Sequence, residues 1–202
     1  SMVVPFFHEI QYERAIIRLN NIKNLFLISF IFLSLICQAQ IPDQQVRDLK
    51  SGRVVNDTTP IYRLPWALGT RVLLVQGWQS NMSHKGELSQ DFKMKLNTPI
   101  YAARGGIVVQ VKSDGKEAGL KTEYLSEGNN IVIMHSDSTF AGYWHLSYGG
   151  VYVKKGDTIK RGRRIGLSGH TGFSAFPHLH FMVFRYVKGE KRTIPIRFQT
   201  HR

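Results

Sequence analysis

At 202 residues with a formal net charge of +13, the chain has room for one well-packed domain and not for two comfortable ones. Its single cysteine, Cys37, excludes an internal disulfide and a zinc site built from several thiolates. The basic balance calls for acidic surroundings, for which nucleic acid, anionic lipid and acidic wall polymers all qualify, unless it is only a solvated surface. The densest cluster, Lys154-Lys155 with Lys160-Arg161 and Arg163-Arg164, is broken by glycines and an aspartate, so it is not the continuous stripe of a nucleic-acid binder.

Residues 24–36 read NLFLISFIFLSLI, an uncharged run too short for a membrane span of about 20 residues. Arg14, Arg18 and Lys23 precede it, and Cys37-Gln38-Ala39 follows with small residues where a signal peptidase reads. A basic start, apolar middle and small end spell a secretory signal peptide cut between Ala39 and Gln40. Rival readings are an uncleaved anchor and lipidation of Cys37, the latter disfavoured by the bulk of Ile36. The expected organisation is a leader over 1–39, a polar lead-in over 40–63, a single domain over 64–190 and a tail over 191–202. The expected location is exported, periplasmic or extracellular, with no stable membrane span once the signal is removed.

Beyond the lead-in, Arg71 to Gln76 is a short apolar run that predicts a strand. Pro99 to Val111 predicts a strand, a Gly105-Gly106 turn and a second strand. Lys112 to Gly128 is hydrophilic and glycine-containing, as a loop or frayed hairpin is. Asn130 to His135 and Thr139 to Leu146 predict two more strands. Gly149, Gly150, Gly156 and Gly162 punctuate the next stretch at turn-like intervals, and His178 to Val187 predicts a further strand. Helical periodicity is hard to find after residue 50. The fold class expected is all-β, with antiparallel strands in a sandwich or partly open barrel.

Within the last predicted strand, His178-Leu179-His180 has chemical content. Residues two apart on a strand share a face, so both imidazoles project into one cleft while Leu179 and Phe181 turn to the core. Such a pair on a rigid strand suits zinc, although two histidines on a solvated face also occur by chance. His84 and Asp91 offer an imidazole and a carboxylate from one segment, which with an imidazole from the distant strand make a His₂Asp set. Three protein ligands leave a fourth position open, the mark of catalytic rather than structural zinc. Taken singly, Asp91 reads as a turn residue, His84 as a loop histidine, and His145, between Trp144 and Leu146, as a packed core histidine on a strand.

The pieces resemble, in order, the M23 (lysostaphin/LytM-like) zinc metallopeptidase family over roughly Leu64 to Val187. The carriers are Gly77 through His84 to Asp91-Phe92, Asn97-Thr98-Pro99-Ile100-Tyr101-Ala102-Ala103-Arg104-Gly105-Gly106, Gly128-Asn129-Asn130-Ile131-Val132-Ile133-Met134-His135, Tyr143-Trp144-His145-Leu146-Ser147, Gly166-Leu167-Ser168-Gly169-His170-Thr171-Gly172 and Pro177-His178-Leu179-His180-Phe181. The resemblance implies one zinc ion held by His84, Asp91 and His180, with His145 and His178 catalytic. It implies a peptidoglycan endopeptidase with a wall peptide as substrate and anionic wall polymers as further partners. Six residues separate His84 from Asp91 where the common form has three, as in a longer-spaced variant. His170 stands where a small polar residue is usual and reads as a rim residue; His135 reads as a strand end. A non-catalytic wall-binding protein or activator of another hydrolase is the alternative, though such relatives usually lack one of the five residues present here. A basic nucleic-acid-binding barrel is weaker still, with only Phe184-Arg185-Tyr186 interleaving aromatics and charge.

Overall fold

Short β-branched and aromatic runs separated by glycine turns fold as fifteen strands in the computed structural model, which describes Ser51 and residues 60–199. The expected leader, its cleavage site and Cys37 lie outside those residues. The first strands are β1 (Ile61–Arg63), β2 (Leu73–Gln76), β3 (Gln90–Lys93), β4 (Pro99–Tyr101) and β5 (Gly106–Lys112). Next come β6 (Ala118–Gly119), β7 (Asn130–Met134), β8 (Phe140–Trp144), β9 (Leu146–Val151) and β10 (Thr158–Ile159). The last are β11 (Arg164–Ser168), β12 (Gly172–Phe173), β13 (His178–Val187), β14 (Glu190–Thr193) and β15 (Arg197–Gln199).

The main antiparallel sheet runs β10-β5-β7-β8-β13-β3-β2, with β14 pairing to the second half of β13. A smaller antiparallel sheet runs β4-β11-β9. The all-β antiparallel expectation holds, as open sheets with no closed barrel among the described residues. Two short parallel pairs depart from it, β1 with β15 and β6 with β12. β1 falls in the stretch expected as a lead-in and β15 in the expected tail. Through Tyr62, Ile196 and Phe198, residues around this pair pack into the main core.

That core lies between the sheets. Ile131, Ile133, Ala141, Tyr143, Leu179, Phe181 and Val183 from the main sheet meet Ile100, Leu146 and Ile165 from the smaller one. Burying each large apolar side chain is worth about 1.5–3 kcal/mol. The register of β13 is therefore locked, since a one-residue slip would exchange Leu179 and Phe181 for two histidines. On its other face β13 carries His178 and His180, followed by Met182 and Phe184 in a second small cluster with Val132.

Several local expectations are refined. The run at Arg71 to Gln76 does form β2, but as the sheet's last strand, with Leu73, Leu74 and Val75 exposed. Opposite β3, Leu74 faces Phe92 and Gln76 faces Asp91, so Val75 is the extra residue of a bulge. β4 and β5 belong to different sheets, and Gly105-Gly106 carries the chain between them rather than closing a hairpin. The stretch from Lys112 to Gly128 contains β6 and a 3₁₀ segment over Thr122–Glu127. Among the described residues no helix is long and apolar enough to cross a membrane.

Candidate metal centre

Directly opposed residues on neighbouring strands share a face. The pairings Gln76↔Asp91, Asp91↔His180, His180↔Trp144 and Trp144↔Asn130 therefore lay one row of side chains across the main sheet. Asp91 and His180 stand at its centre, with the Trp144 ring edge-on to His180 at 5.8 Å. His84 reaches them from the loop between β2 and β3 and is almost wholly buried.

Three ligand-type atoms converge here. His180 Nδ1 lies 2.8 Å from Asp91 Oδ1, and His84 Nε2 lies 3.2 Å from each of them. Donor atoms bound to one tetrahedral zinc at about 2.0–2.1 Å stand about 3.3 Å apart. The observed edges fall just inside that separation. The His84 Nδ1–H donates to the Gly77 carbonyl at 3.1 Å, which fixes the tautomer of the neutral ring, so that its Nε2 lone pair faces the cluster. Two imidazoles and a carboxylate presenting acceptor atoms to one point are a donor set that fits zinc.

The electrostatics agree. Burial opposes ionisation of Asp91, but hydrogen bonds and charge from His180 and His84 outweigh it and hold the carboxyl well below its ordinary range. Burial also opposes protonation of His84, yet Asp91 and the Gly77 carbonyl raise its pKa above the usual value. Both shifts mark a site that favours positive charge.

His178 and His145 stand beside this cluster, their ring centroids 4.6 Å apart. His178 Nε2 lies 3.8 Å from Asp91 Oδ1, and its Nδ1–H donates to the Phe176 carbonyl at 2.8 Å. The His145 ring is 5.9 Å from that of His180, and its Nδ1–H donates to the Thr171 carbonyl at 2.7 Å. A carbonyl only accepts, so each neutral ring carries its proton on Nδ1 and presents a bare Nε2. Burial, then the nearby His178 and His180, push His145 down to about pKa 3; burial likewise lowers His178.

The strand placement of His145 needs correction. β8 ends at Trp144 and β9 begins at Leu146, while His145 between them has φ +61°. A left-handed backbone at a non-glycine residue costs on the order of 1 kcal/mol and persists only where its surroundings enforce it. Here the enforcers were not apparent from sequence. Thr171 Oγ1 donates to the Leu146 carbonyl and accepts from the Asn129 N–H. The fully buried Asn129 side chain in turn bonds Gly115 through both its N–H and carbonyl, and also the Leu146 carbonyl. Asn129→Leu should cost at least about 2 kcal/mol, because several buried backbone groups lose partners at once; a urea denaturation curve measures it. His170 is more than a rim residue, since its Nδ1 lies 2.9 Å from Ser174 Oγ, itself 3.3 Å from His178 Nδ1. His135 does follow a strand, buried against Tyr62 and away from the cluster.

The sequence profile of peptidase family M23 matches residues 83–193, more than half of the chain and all five of these residues. The chain belongs to peptidase family M23. The peptidoglycan DD-endopeptidase ShyA of Vibrio cholerae serotype O1 is 38% identical over 109 residues, 52% of this chain and 23% of that protein. The glycyl-glycine endopeptidase ALE-1 of Staphylococcus capitis is 40% identical over 91 residues, 45% of this chain and 22% of that protein. This M23 chain spans about a quarter of the length of the curated relatives it matches. Among solved structures, a zinc-containing peptidase from Vibrio cholerae aligns over 67% of this chain and 39% of its own, at 26% identity and a TM-score of 0.48.

Proposed function

We propose that this M23 chain is an exported zinc metallo-endopeptidase that hydrolyses the peptide cross-links of bacterial peptidoglycan. The observation that supports it most is the convergence of His84 Nε2, Asp91 Oδ1 and His180 Nδ1 beside two neutral histidines with bare Nε2 atoms. In this reading His84, Asp91 and His180 hold the metal, and His145 and His178 are catalytic. When bound, zinc supplies Lewis acidity to a peptide carbonyl and to water. One of His145 and His178 takes up at Nε2 the proton released by the attacking water, donates from that atom to the developing oxyanion and passes the proton on to the leaving amine, while the other accepts from the water at its bare Nε2 and so positions it. Their carbonyl partners hold both rings in the tautomer this needs. The names of the matched relatives support the peptidoglycan substrate, and the leader pattern over residues 24–39 supports export. The charge of +13 suits anionic wall polymers as a second partner.

The test is release of peptide fragments from purified cell walls. Hydrolysis is expected to stop with a chelator and to return on adding zinc. Retention on walls without fragment release would instead identify a wall-binding protein or an activator of another hydrolase. Chelation should also lower thermal stability, since a ligand present at a hundred times its Kd stabilises the folded state by about 2.7 kcal/mol; melting with and without zinc measures this.

A further inference from the structure

Gln76 stands at the inner end of the edge strand β2, buried, with its side chain on the face that carries Asp91. The bulge at Val75 puts it there. In regular, unbulged pairing of the same sequence, position 75 would oppose Asp91 and Gln76 would turn to the opposite face. Its surroundings also settle which way the amide faces. With the oxygen toward the following loop, it lies 2.8 Å from Ser83 Oγ, 3.0 Å from Ser80 Oγ, 3.1 Å from the His84 backbone N, 3.2 Å from the Ser83 backbone N and 3.3 Å from His84 Nε2, from which it accepts when that ring is protonated. The reverse orientation would set amide N–H groups against backbone N–H groups. One buried acceptor thus gathers donors from the segment that ends in His84.

The stretch that follows it, residues 85–90, is where the chain departs from the shorter His-to-Asp spacing. A longer connection has more conformations to lose before His84 can meet Asp91. Beyond Gln76 the loop closes on itself, the Gln79 N–H donating to the Glu87 carbonyl and the Gly86 N–H to Gln79 Oε1. Leu88, 1% exposed, anchors its far end, where its N–H donates to Thr193 Oγ1. The near end, which sets the height of the His84 ring, depends on Gln76 and on the bond from His84 to the Gly77 carbonyl.

We infer that Gln76 is a positioning residue: its amide oxygen organises residues 80–84 and so pre-places the His84 imidazole for metal binding. The inference rests on the ligand role proposed for His84 and goes beyond it by naming what holds that ligand in place. The side chain is placed to act on the loop and, at 3.3 Å from His84 Nε2, on the ring itself; it is missing from any reading of ligand-type residues because glutamine is neither charged nor an ordinary metal ligand.

The test compares Gln76→Met, which keeps length and removes the acceptor, with Gln76→Glu, which keeps an acceptor oxygen. The full chain is used, with two readouts: residue-resolved hydrogen exchange of the zinc-free protein and zinc affinity by calorimetry. Gln76→Met is expected to speed exchange at the Ser83 and His84 amides at least about tenfold while Ile131 to Ile133 in β7 stay protected. It is also expected to weaken zinc binding about 10–100-fold. Gln76→Glu is expected to retain protection of both amides, while its added charge opposite Asp91 makes its zinc affinity no measure of the acceptor's role. Unchanged exchange and affinity in Gln76→Met would overturn the inference, and so would exchange at the Ser83 and His84 amides as fast in Gln76→Glu as in Gln76→Met. Loss of protection throughout β7 in Gln76→Met would make Gln76 a general stability residue and overturn it as well. If the unaltered chain bound no zinc, the proposed function would fall, while the exchange data would still decide whether Gln76 organises the loop.

Discussion

His180→Ala is expected to remove zinc binding and hydrolysis together. His180 Nδ1 is the atom closest to Asp91 Oδ1 and faces His84 Nε2, so its loss leaves an imidazole and a carboxylate in place of a three-donor set. Loss of a residue that only orients a ligand costs about 10–100-fold in metal affinity, and loss of a ligand should exceed that. Zinc calorimetry should therefore show binding weakened by more than about 100-fold, with wall hydrolysis falling in step. The zinc-free fold should suffer too. Asp91 is buried and ionised, and losing one charge-assisted hydrogen bond should cost about 1.5–3 kcal/mol. The pH dependence has a definite sign. Because the folded state holds the Asp91 carboxyl below its ordinary range, its stabilisation is complete above about pH 4 and is lost as acid drives protonation. Denaturation curves of the zinc-free protein should thus separate from those of His180→Ala at neutral pH and converge in strong acid. A variant that bound zinc as the unaltered chain does would remove His180 from the ligand set.

His178→Ala should give the opposite split, with zinc retained and turnover lost. Its ring is not among the three convergent atoms, so affinity is expected to stay within a few-fold. Removing a general acid–base group costs about 10²–10⁴ in rate. His145→Ala should fall in the same range, and the double variant should lose little more than either single one if the rings act as a unit. Both rings have pKa values below the ordinary 6.5, His145 down to about 3. Their bare Nε2 atoms are thus available on the acid side of neutrality, and the acid limb of the kcat/KM profile should lie below pH 6.5. For stability the sign follows from the same shift. The unfolded chain takes up protons at these residues from about pH 6.5 downward while the folded chain resists, so stability falls with acidification through that window. A His178→Ala chain that held zinc and kept full hydrolysis would sink the assignment.

Much of this was legible in the residues. His178-Leu179-His180 predicts two imidazoles on one face and a buried leucine, and the strand runs from His178 to Val187 with Leu179 and Phe181 inside. Strand alternation is a local property, so a local pattern reveals it. The break at His145 is different. Tyr143-Trp144-His145-Leu146 contains no glycine or asparagine to mark a left-handed residue, and the conformation is imposed by Thr171 and Asn129 from other parts of the chain. For the same reason Pro99 to Val111 reads only as strand, turn and strand: nothing local states that its two strands belong to different sheets. The apolar run of β2 announces a strand, but its place at the edge depends on what pairs beside it. Gln76 was invisible because its role depends on a one-residue irregularity in pairing, which no composition or period records.

That irregularity makes β2 a segment read by counting. Leu73, Leu74 and Val75 all stand partly in solvent, so their identities are weakly constrained by packing. Their number is another matter. Deleting Val75 would leave an acceptable strand of acceptable composition with Gln76 still opposite Asp91, and yet remove the bend that the bulge puts into the chain just before the loop to His84. Exchanges among these three positions should be borne easily, whereas insertions and deletions should not. Sequence variation in this strand would then be free in kind and fixed in length.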